Sequence, residues 1–294
     1  MPRIFRTSRK LEVFKVSAHF GKNSKENVNY NRLFQAISQT TRAQRAVNIS
    51  GKSVALPEFR IDENIVVLTA YEGEEGNPLI FDFVNATERI EELHRGEKLA
   101  TKTHAVINTS TREAIVEYNQ RGAKASDIAE ALRAISRKLT GWPDLEIEFS
   151  PVVEQSFIEA INSFRRIREA TVKIVRPNQD WTDYATHLTD FAKESDAHLI
   201  EVTANARRAE TLNKRSGIME FIRRIVGSDK HSVKSAKVTG TRPDEEAETT
   251  VSSTKHLAHQ KVNVEMTKDG LVSDPDINNR LVRFSEARDP RNRK

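Results

Sequence analysis

The 294-residue chain has no cysteine. Disulfide frameworks, thiolate nucleophiles and cysteine-ligated zinc or iron–sulfur centres are excluded at once, and a reducing, cytoplasmic setting is expected. Glycine is sparse, with 11 residues and none in a G-x-G-x-x-G array, so a dinucleotide-binding turn has no support. Gly51-Lys52-Ser53 looks like the end of a phosphate loop, but Ala46 stands where the first glycine of that loop is required. The tripeptide reads instead as a turn between strands. No G-x-S-x-G elbow occurs, which leaves a hydrolase serine without support. No apolar run approaches the roughly 20 residues that span a bilayer, and the opening MPRIFRTSRK has charge but no apolar signal-peptide core. The expectation is a soluble chain that is not itself a membrane protein.

What is present is charge in blocks. The net charge is +5, with 47 Lys and Arg against 42 Asp and Glu. Residues 1–60 carry 12 basic and 3 acidic side chains, and residues 61–100 reverse this with 3 and 10. Residues 201–240 are basic again (9 and 4), 241–279 acidic (4 and 8) and 280–294 basic (6 and 2). Such blocks imply local patches that meet a polyanion, rather than a uniformly basic surface.

The apolar pattern predicts an α+β fold with a strand-rich N-terminal half of paired hairpins and an alternating β/α C-terminal half. Leu11–Phe20 reads as a strand, and Asn29–Ala43 as a helix with Tyr30, Leu33, Phe34 and Ile37 on one face. Asn64–Tyr71 and Leu79–Phe83 flank the turn EGEEGNP as one hairpin; Thr103–Asn108 and Ala114–Tyr118 form a second. Ser126 caps a helix with the stripe Ile128, Leu132, Ile135 and Leu139. Gly141-Trp142-Pro143 then marks a boundary between domains at 1–142 and 143–284, followed by a basic tail at 285–294 that frays over ARDPRNRK (287–294). The second domain reads as strand 145–149, helix 154–164, strand 170–175, helix 180–194, strand 197–203, helix 217–226, a hairpin from 233–240 and 248–255, strand 261–266, and a last helix opened by Asp274-Pro275.

Three constellations carry candidate chemistry. Asp144, Glu146 and Glu148 share one face of a strand, where a metal-dependent nuclease would hold its cation. The solvent face of an amphipathic strand is the alternative, and the lysine a restriction-type nuclease wants two residues on is absent. His256 and His259 have ligand-like spacing but no third ligand and no H-E-x-x-H pattern, so no metal and no cofactor is expected. The basic residues remain. Arg207, Arg208, Lys214, Arg215, Arg223, Arg224, Lys234 and Lys237, interleaved with Asn205, Thr211, Asn213 and Ser216, suit phosphate contacts on a helix spanning 204–226 and the strand after it. Arg3, Arg6, Arg9 and Lys10 suit a mobile arm.

The run Arg165–Asn178 (RRIREATVKIVRPN), with Arg-x-x-Thr-Val-Lys-Ile before a proline, resembles the middle of the cytosolic component of the Rex-type phage-exclusion system. LEVFKV followed by NYNRLF is similar to the start of uncharacterised bacterial families of this size. The layout is alike over residues 50–200 and departs after them, at VTANARRAETLNKRSGIMEFIRRIV, so no DNA-contacting residue carries over. The resemblance implies anti-phage defence by a cytosolic homodimer that binds double-stranded DNA, working with a partner protein in the membrane. A non-enzymatic DNA-binding protein is therefore the leading expectation. The nuclease and a protein–protein subunit of a defence complex are the alternatives.

Overall fold

The computed structural model describes residues 5–20, 27–82, 84, 87–139, 141–175, 199–226, 233–243 and 247–292. The fold is α+β, in two compact units. The first comprises residues 1–11, 29–148 and 261–294, and the second residues 12–28 and 149–260. Both ends of the chain thus belong to the first unit. The helix expected at 180–194 lies outside the described residues.

The first unit is built on a sheet with the order β14-β1-β8-β7-β4-β3-β2. Its strands are β1 (Arg6–His19), β2 (Ala46–Ile49), β3 (Lys52–Asp62), β4 (Ile65–Glu74), β7 (Leu99–Asn108), β8 (Glu113–Glu117) and β14 (His259–Glu265). β1 and β14 begin or end in the second unit, beyond Leu11 and before Lys261. Gly51-Lys52-Ser53 is the expected turn between strands: Ser50 and Gly51 have φ of +46° and +80°, and Ile49 pairs with Lys52. That is the backbone a tight hairpin demands, and glycine adopts it without steric cost.

Central strands are buried on both faces, so their apolar residues run on rather than alternate. Val67, Val106 and Ile115 pack with Leu11 and Val264 beneath α5 (Asp274–Arg288), which contributes Ile277 and Leu281. Their neighbours Val66, Leu68, Ala105 and Ile107 are equally buried and, by strand alternation, face the other way. α1 (Tyr30–Ser38) and α2 (Ala125–Leu139) pack over β2 and β3. Asn29 caps α1 by accepting from the Arg32 N–H at 3.0 Å, and Tyr30, Leu33, Phe34 and Ile37 are all buried as their spacing predicts.

Three sequence expectations are corrected in this unit. α1 ends at Ser38, not Ala43, because Ser38 and Thr40 hydroxyls donate to the Gln35 and Ile37 carbonyls at 2.8 and 2.7 Å. Thr41 and Gln44 then form a reciprocal capping box, at 2.9 and 3.3 Å, that starts a separate 3-10 turn at Ala43–Arg45. β5 (Leu79–Asp82) does not fold back on β4. It pairs with β6 (Thr87–Ile90), while β4 pairs along its whole length with β7, from Ile65↔Asn108 to Glu74↔Leu99. Nor does the tail fray from Ala287. Helix α5 continues to Arg288, whose guanidinium forks onto the buried Glu113 carboxylate at 2.8 and 2.9 Å, and Asp289 is buried.

The second unit holds an antiparallel sheet in the order β11-β10-β12-β13. The strands are β10 (Arg166–Val175), β11 (Leu199–Asn205), β12 (Val233–Thr241) and β13 (Glu248–Ser252). Its inner face (Ala170, Val172, Ile200, Ala236, Val238 and Val251) packs on Phe157 and Ile161 of α3 (Gln155–Asn162) and on Met219 and Ile222 of α4 (Ile218–Val226). β9 (Glu146–Pro151) pairs with β1, and Val152 N–H continues that pairing to the Val13 carbonyl at 2.9 Å. Gly240 admits no side chain. A Cβ there would stand 2.3 Å from the Arg166 carbonyl oxygen and 2.9 Å from the Phe164 ring.

Candidate nucleic-acid interface

The basic segment between β11 and α4 is not helical, apart from α4 itself. Ala204 and Asn205 end β11, residues 206–217 are irregular, and the helix begins only after Gly217, at φ +63°. The amphipathic spacing of Leu212, Ile218, Phe221 and Ile225 looked helical because Leu212 does turn inward, but it does so from a loop. That loop is stapled along β10. Ala206 and Leu212 N–H groups donate to the Arg168 and Ile167 carbonyls at 2.7 and 2.8 Å, and Ile167 N–H donates to Thr211 Oγ1 at 2.9 Å.

Three cationic side chains complete the staple. Arg166 Nε donates to the Glu210 carbonyl at 2.7 Å, Lys214 donates to the Phe164 carbonyl, and Arg223 donates both to the Lys214 carbonyl and to Asn162 Oδ1, the latter at 2.8 Å. Arg224 pairs with Glu220 one helical turn back, at 2.8 Å. Of the sequence-selected residues, then, Lys214, Arg223 and Arg224 have internal partners. Arg207, Arg208 and Arg215 are exposed and have no ion pair among the described residues. Lys237 is exposed on β12, opposite Thr171 and Ser252. Around it the outer face of the sheet is polar, with Thr171–Thr203 and Thr239–Thr250 hydroxyl pairs at 3.0 and 2.9 Å and a Lys173–Glu201 ion pair at 2.8 Å. The side chain of Lys234 and all of Arg3 lie outside the described residues.

The expected mobile arm is a strand from Arg6 onward. Arg6 meets Glu265 at 3.5 Å, Arg9 meets the buried Glu117 at 3.0 Å, and Lys10 lies 5.6 Å from the Tyr118 ring centre while its carbonyl accepts from Tyr118 N–H. These contacts commit the head groups of Arg6 and Arg9 to the sheet.

Of the acidic constellation, Glu146 and Glu148 alternate with the buried Ile147 on β9, as expected. Glu146 accepts from Arg133 at 3.1 Å and from Arg137, both on α2, and Asp144 is exposed ahead of β9. His256 Nδ1 lies 3.1 Å from Ser156 Oγ, and His259 Nδ1 is 2.8 Å from the Leu257 carbonyl oxygen. Among the described residues no group of three or more His, Asp or Glu side chains is arranged to hold a metal ion.

The first unit also holds a buried polar chain that no sequence motif marks. His104 on β7 lies between two carboxylates, with Nδ1 2.7 Å from Glu117 Oε2 and Nε2 3.0 Å from Asp274 Oδ1. Lys102 holds the other Asp274 oxygen at 2.9 Å, and Arg9 the other Glu117 oxygen. Desolvation opposes the imidazolium, but the hydrogen bonds and charges of Glu117 and Asp274 outweigh it and raise the His104 pKa above its ordinary value. Desolvation likewise opposes the Asp274 carboxylate, yet Lys102 and His104 hold its pKa below the usual range. This chain ties the first turn of α5 to the sheet. At the other end of that helix a cleft of about 650 Å³ is lined by Asn64, Asn108, Asn279, Glu286, Asp289 and Arg291, among others. There Arg291 hydrogen bonds lower the Asp289 pKa to about 2.

No described helix is long and apolar enough to cross a membrane. No protein-family description matches the chain, and a search of curated proteins found no significant relative.

Proposed function

We propose that the protein binds double-stranded DNA through its phosphates, without catalysis, at the surface formed by Arg207, Arg208, Arg215 and Lys237. One observation carries this reading. The 206–217 loop is fixed to β10 by its own backbone and by Arg166, Lys214 and Arg223, whereas Arg207, Arg208 and Arg215 on the same loop are exposed and unpaired among the described residues. A rigid loop presents its guanidinium groups at little further entropic cost, and guanidinium suits phosphate oxygens through paired N–H donors. The threonine hydroxyls and Lys237 on the adjoining sheet face suit backbone contacts of the same kind. None of these groups implies base readout, so sequence preference is expected to be weak. The setting in bacterial anti-phage defence, the homodimer and the membrane partner rest on the resemblance around Arg165–Asn178.

Gel-shift titrations of a duplex across a salt series test the proposal. Substituting Arg207, Arg208 and Arg215 together by Ala should lower the slope of log K against log salt by about 2–3, one increment near 0.9 for each lost phosphate contact. Lys237→Ala should remove about one further increment. Micromolar protein that gives no shift at low salt sinks the reading.

A further inference from the structure

The first unit contains a second concentration of arginine, unconnected with the DNA proposal. A cavity of about 330 Å³ opens between the 3-10 turn, β3, β4 and α5. That volume is at the lower end of the range for small-molecule sites, about 300–1,000 Å³. Arg42, Arg45 and Arg60 line it, with Phe59, Thr69 and Asn278. One carboxylate, Glu58, also lines it, and this accepts a hydrogen bond from Thr69 Oγ1 at 3.1 Å.

Arg45 is the unusual member. It is only 6% exposed, yet among the described residues no carboxylate pairs with it. One terminal nitrogen donates to the Pro57 carbonyl at 3.1 Å, the guanidinium lies 5.9 Å from the Phe59 ring centre, and Nε is buried with no acceptor among the described residues. Burial first, and then the charge of Arg42, hold its pKa below the ordinary arginine value, with no acidic group acting in the other direction. A buried cation lacking a counter-ion is costly, and removing one N–H from water without an acceptor adds to that cost. Asn278 Oδ1 is a buried acceptor that likewise has no donor among the described residues. The chain builds this arrangement deliberately: the Thr41–Gln44 capping box sets the 3-10 turn that carries Arg42 and Arg45, and a bulge in β3 between Ala55 and Glu58 brings Pro57 opposite.

We propose that this cavity binds a small phosphomonoester of nucleoside-monophosphate size, with Arg42, Arg45 and Arg60 holding the phosphate and Asn278 Oδ1 accepting from a hydroxyl or amino group of the ligand. The phosphate supplies the missing counter-charge and the acceptor for Arg45 Nε, and Phe59, Val67 and Leu68 give the cavity an apolar wall for the remainder of the ligand.

Calorimetric titration of the full chain with each of the four nucleoside monophosphates, adenosine and inorganic phosphate tests this. At least one monophosphate should bind with Kd below about 1 mM, and adenosine and inorganic phosphate should each bind at least about tenfold more weakly. Arg42→Ala and Arg60→Ala, both at exposed positions, should fold normally and each weaken the monophosphate about tenfold or more. Arg45→Met keeps the volume and should abolish binding. It should also raise the unliganded melting temperature or leave it unchanged, because an unpaired buried charge is removed. The proposal is overturned if no monophosphate binds at about 1 mM, if Arg42→Ala and Arg60→Ala bind as the parent does, or if inorganic phosphate binds as tightly as the best monophosphate. A DNA duplex that displaces the monophosphate also overturns it. Loss of duplex binding in the Arg207, Arg208 and Arg215 variant with monophosphate binding intact would separate the two proposals.

Discussion

Replacing His104 by Gln perturbs a buried charge chain in the first unit. The substitution keeps the approximate volume and a neutral donor but removes the imidazolium between Glu117 and Asp274. Glu117 is then left with Arg9 at 3.0 Å and the backbone N–H of residue 104 at 3.3 Å, in a site where its side chain is 3% exposed. Each charge-assisted hydrogen bond lost is worth about 1.5–3 kcal/mol, and breaking one member out of a buried ion pair costs about 3–5 kcal/mol. The larger range governs here, because the remaining carboxylate cannot move to water. At about 2–4 °C per kcal/mol, the first unit should melt about 6–20 °C lower at pH 6. The pH dependence fixes the sign. The folded pKa of His104 is raised, so its stabilising contribution is complete below the unfolded value near 6.5 and is lost as pH rises through the folded pKa. The parent should therefore lose stability on the alkaline side of neutrality, and H104Q should lack that limb. Chemical denaturation of both proteins from pH 5 to 9 measures this. Melting within about 2 °C of the parent at pH 6, or an unchanged alkaline limb, would refute the reasoning.

Other perturbations are read the same way. Arg288→Ala removes the fork from the buried Glu113 carboxylate and should cost about 3 kcal/mol in denaturant unfolding; ending the chain at Ala287 should do the same, whereas a frayed tail would be removed without effect. Gly240→Ala forces the Arg166 carbonyl and the Phe164 ring apart and should destabilise the second unit by more than about 2 kcal/mol, with near-parental melting counting against the stated close approach. In the loop after β11, Lys214→Ala and Arg223→Ala should lower melting temperature without changing the salt slope of duplex binding, the reverse of the Arg207, Arg208 and Arg215 substitutions.

The sequence was most legible where one periodicity decides the outcome. Tyr30, Leu33, Phe34 and Ile37 are buried as their spacing requires, and β7 and β8 pair as the hairpin expected around Thr-Ser-Thr-Arg. It was least legible where distant segments compete. A turn such as EGEEGNP announces a reversal but not the partner, and β7 offers β4 ten paired positions where β5 has only four residues. Local signals were also overlooked. Thr41-x-x-Gln44 has capping-box spacing, which separates α1 from the turn that positions Arg45. His104 gave no such signal, because its partners Glu117 and Asp274 lie 13 and 170 residues away in sequence.

Charge blocks fail for a related reason. A formal count weighs Arg9 and Arg45 equally, and Lys214 and Arg215 equally, although folding treats the members of each pair in opposite ways. Arg9 meets Glu117, and Lys52 meets Glu72 and Asp127 at 3.1 and 3.3 Å, so part of the basic N-terminal block is neutralised by acids from later in the chain. Lys214 loses its freedom to the Phe164 carbonyl, which no charge count registers because a carbonyl has no formal charge. What acts on a ligand is the charge left over once internal carboxylates and carbonyls have taken their share. In the first unit that remainder includes Arg42, Arg45 and Arg60 around a small open cavity; in the second it includes Arg207, Arg208 and Arg215 on an exposed loop. A cavity selects a ligand small enough to enter, whereas an open loop suits a long polyanion. The same residue type therefore supports two different chemistries, and the surrounding backbone decides between them.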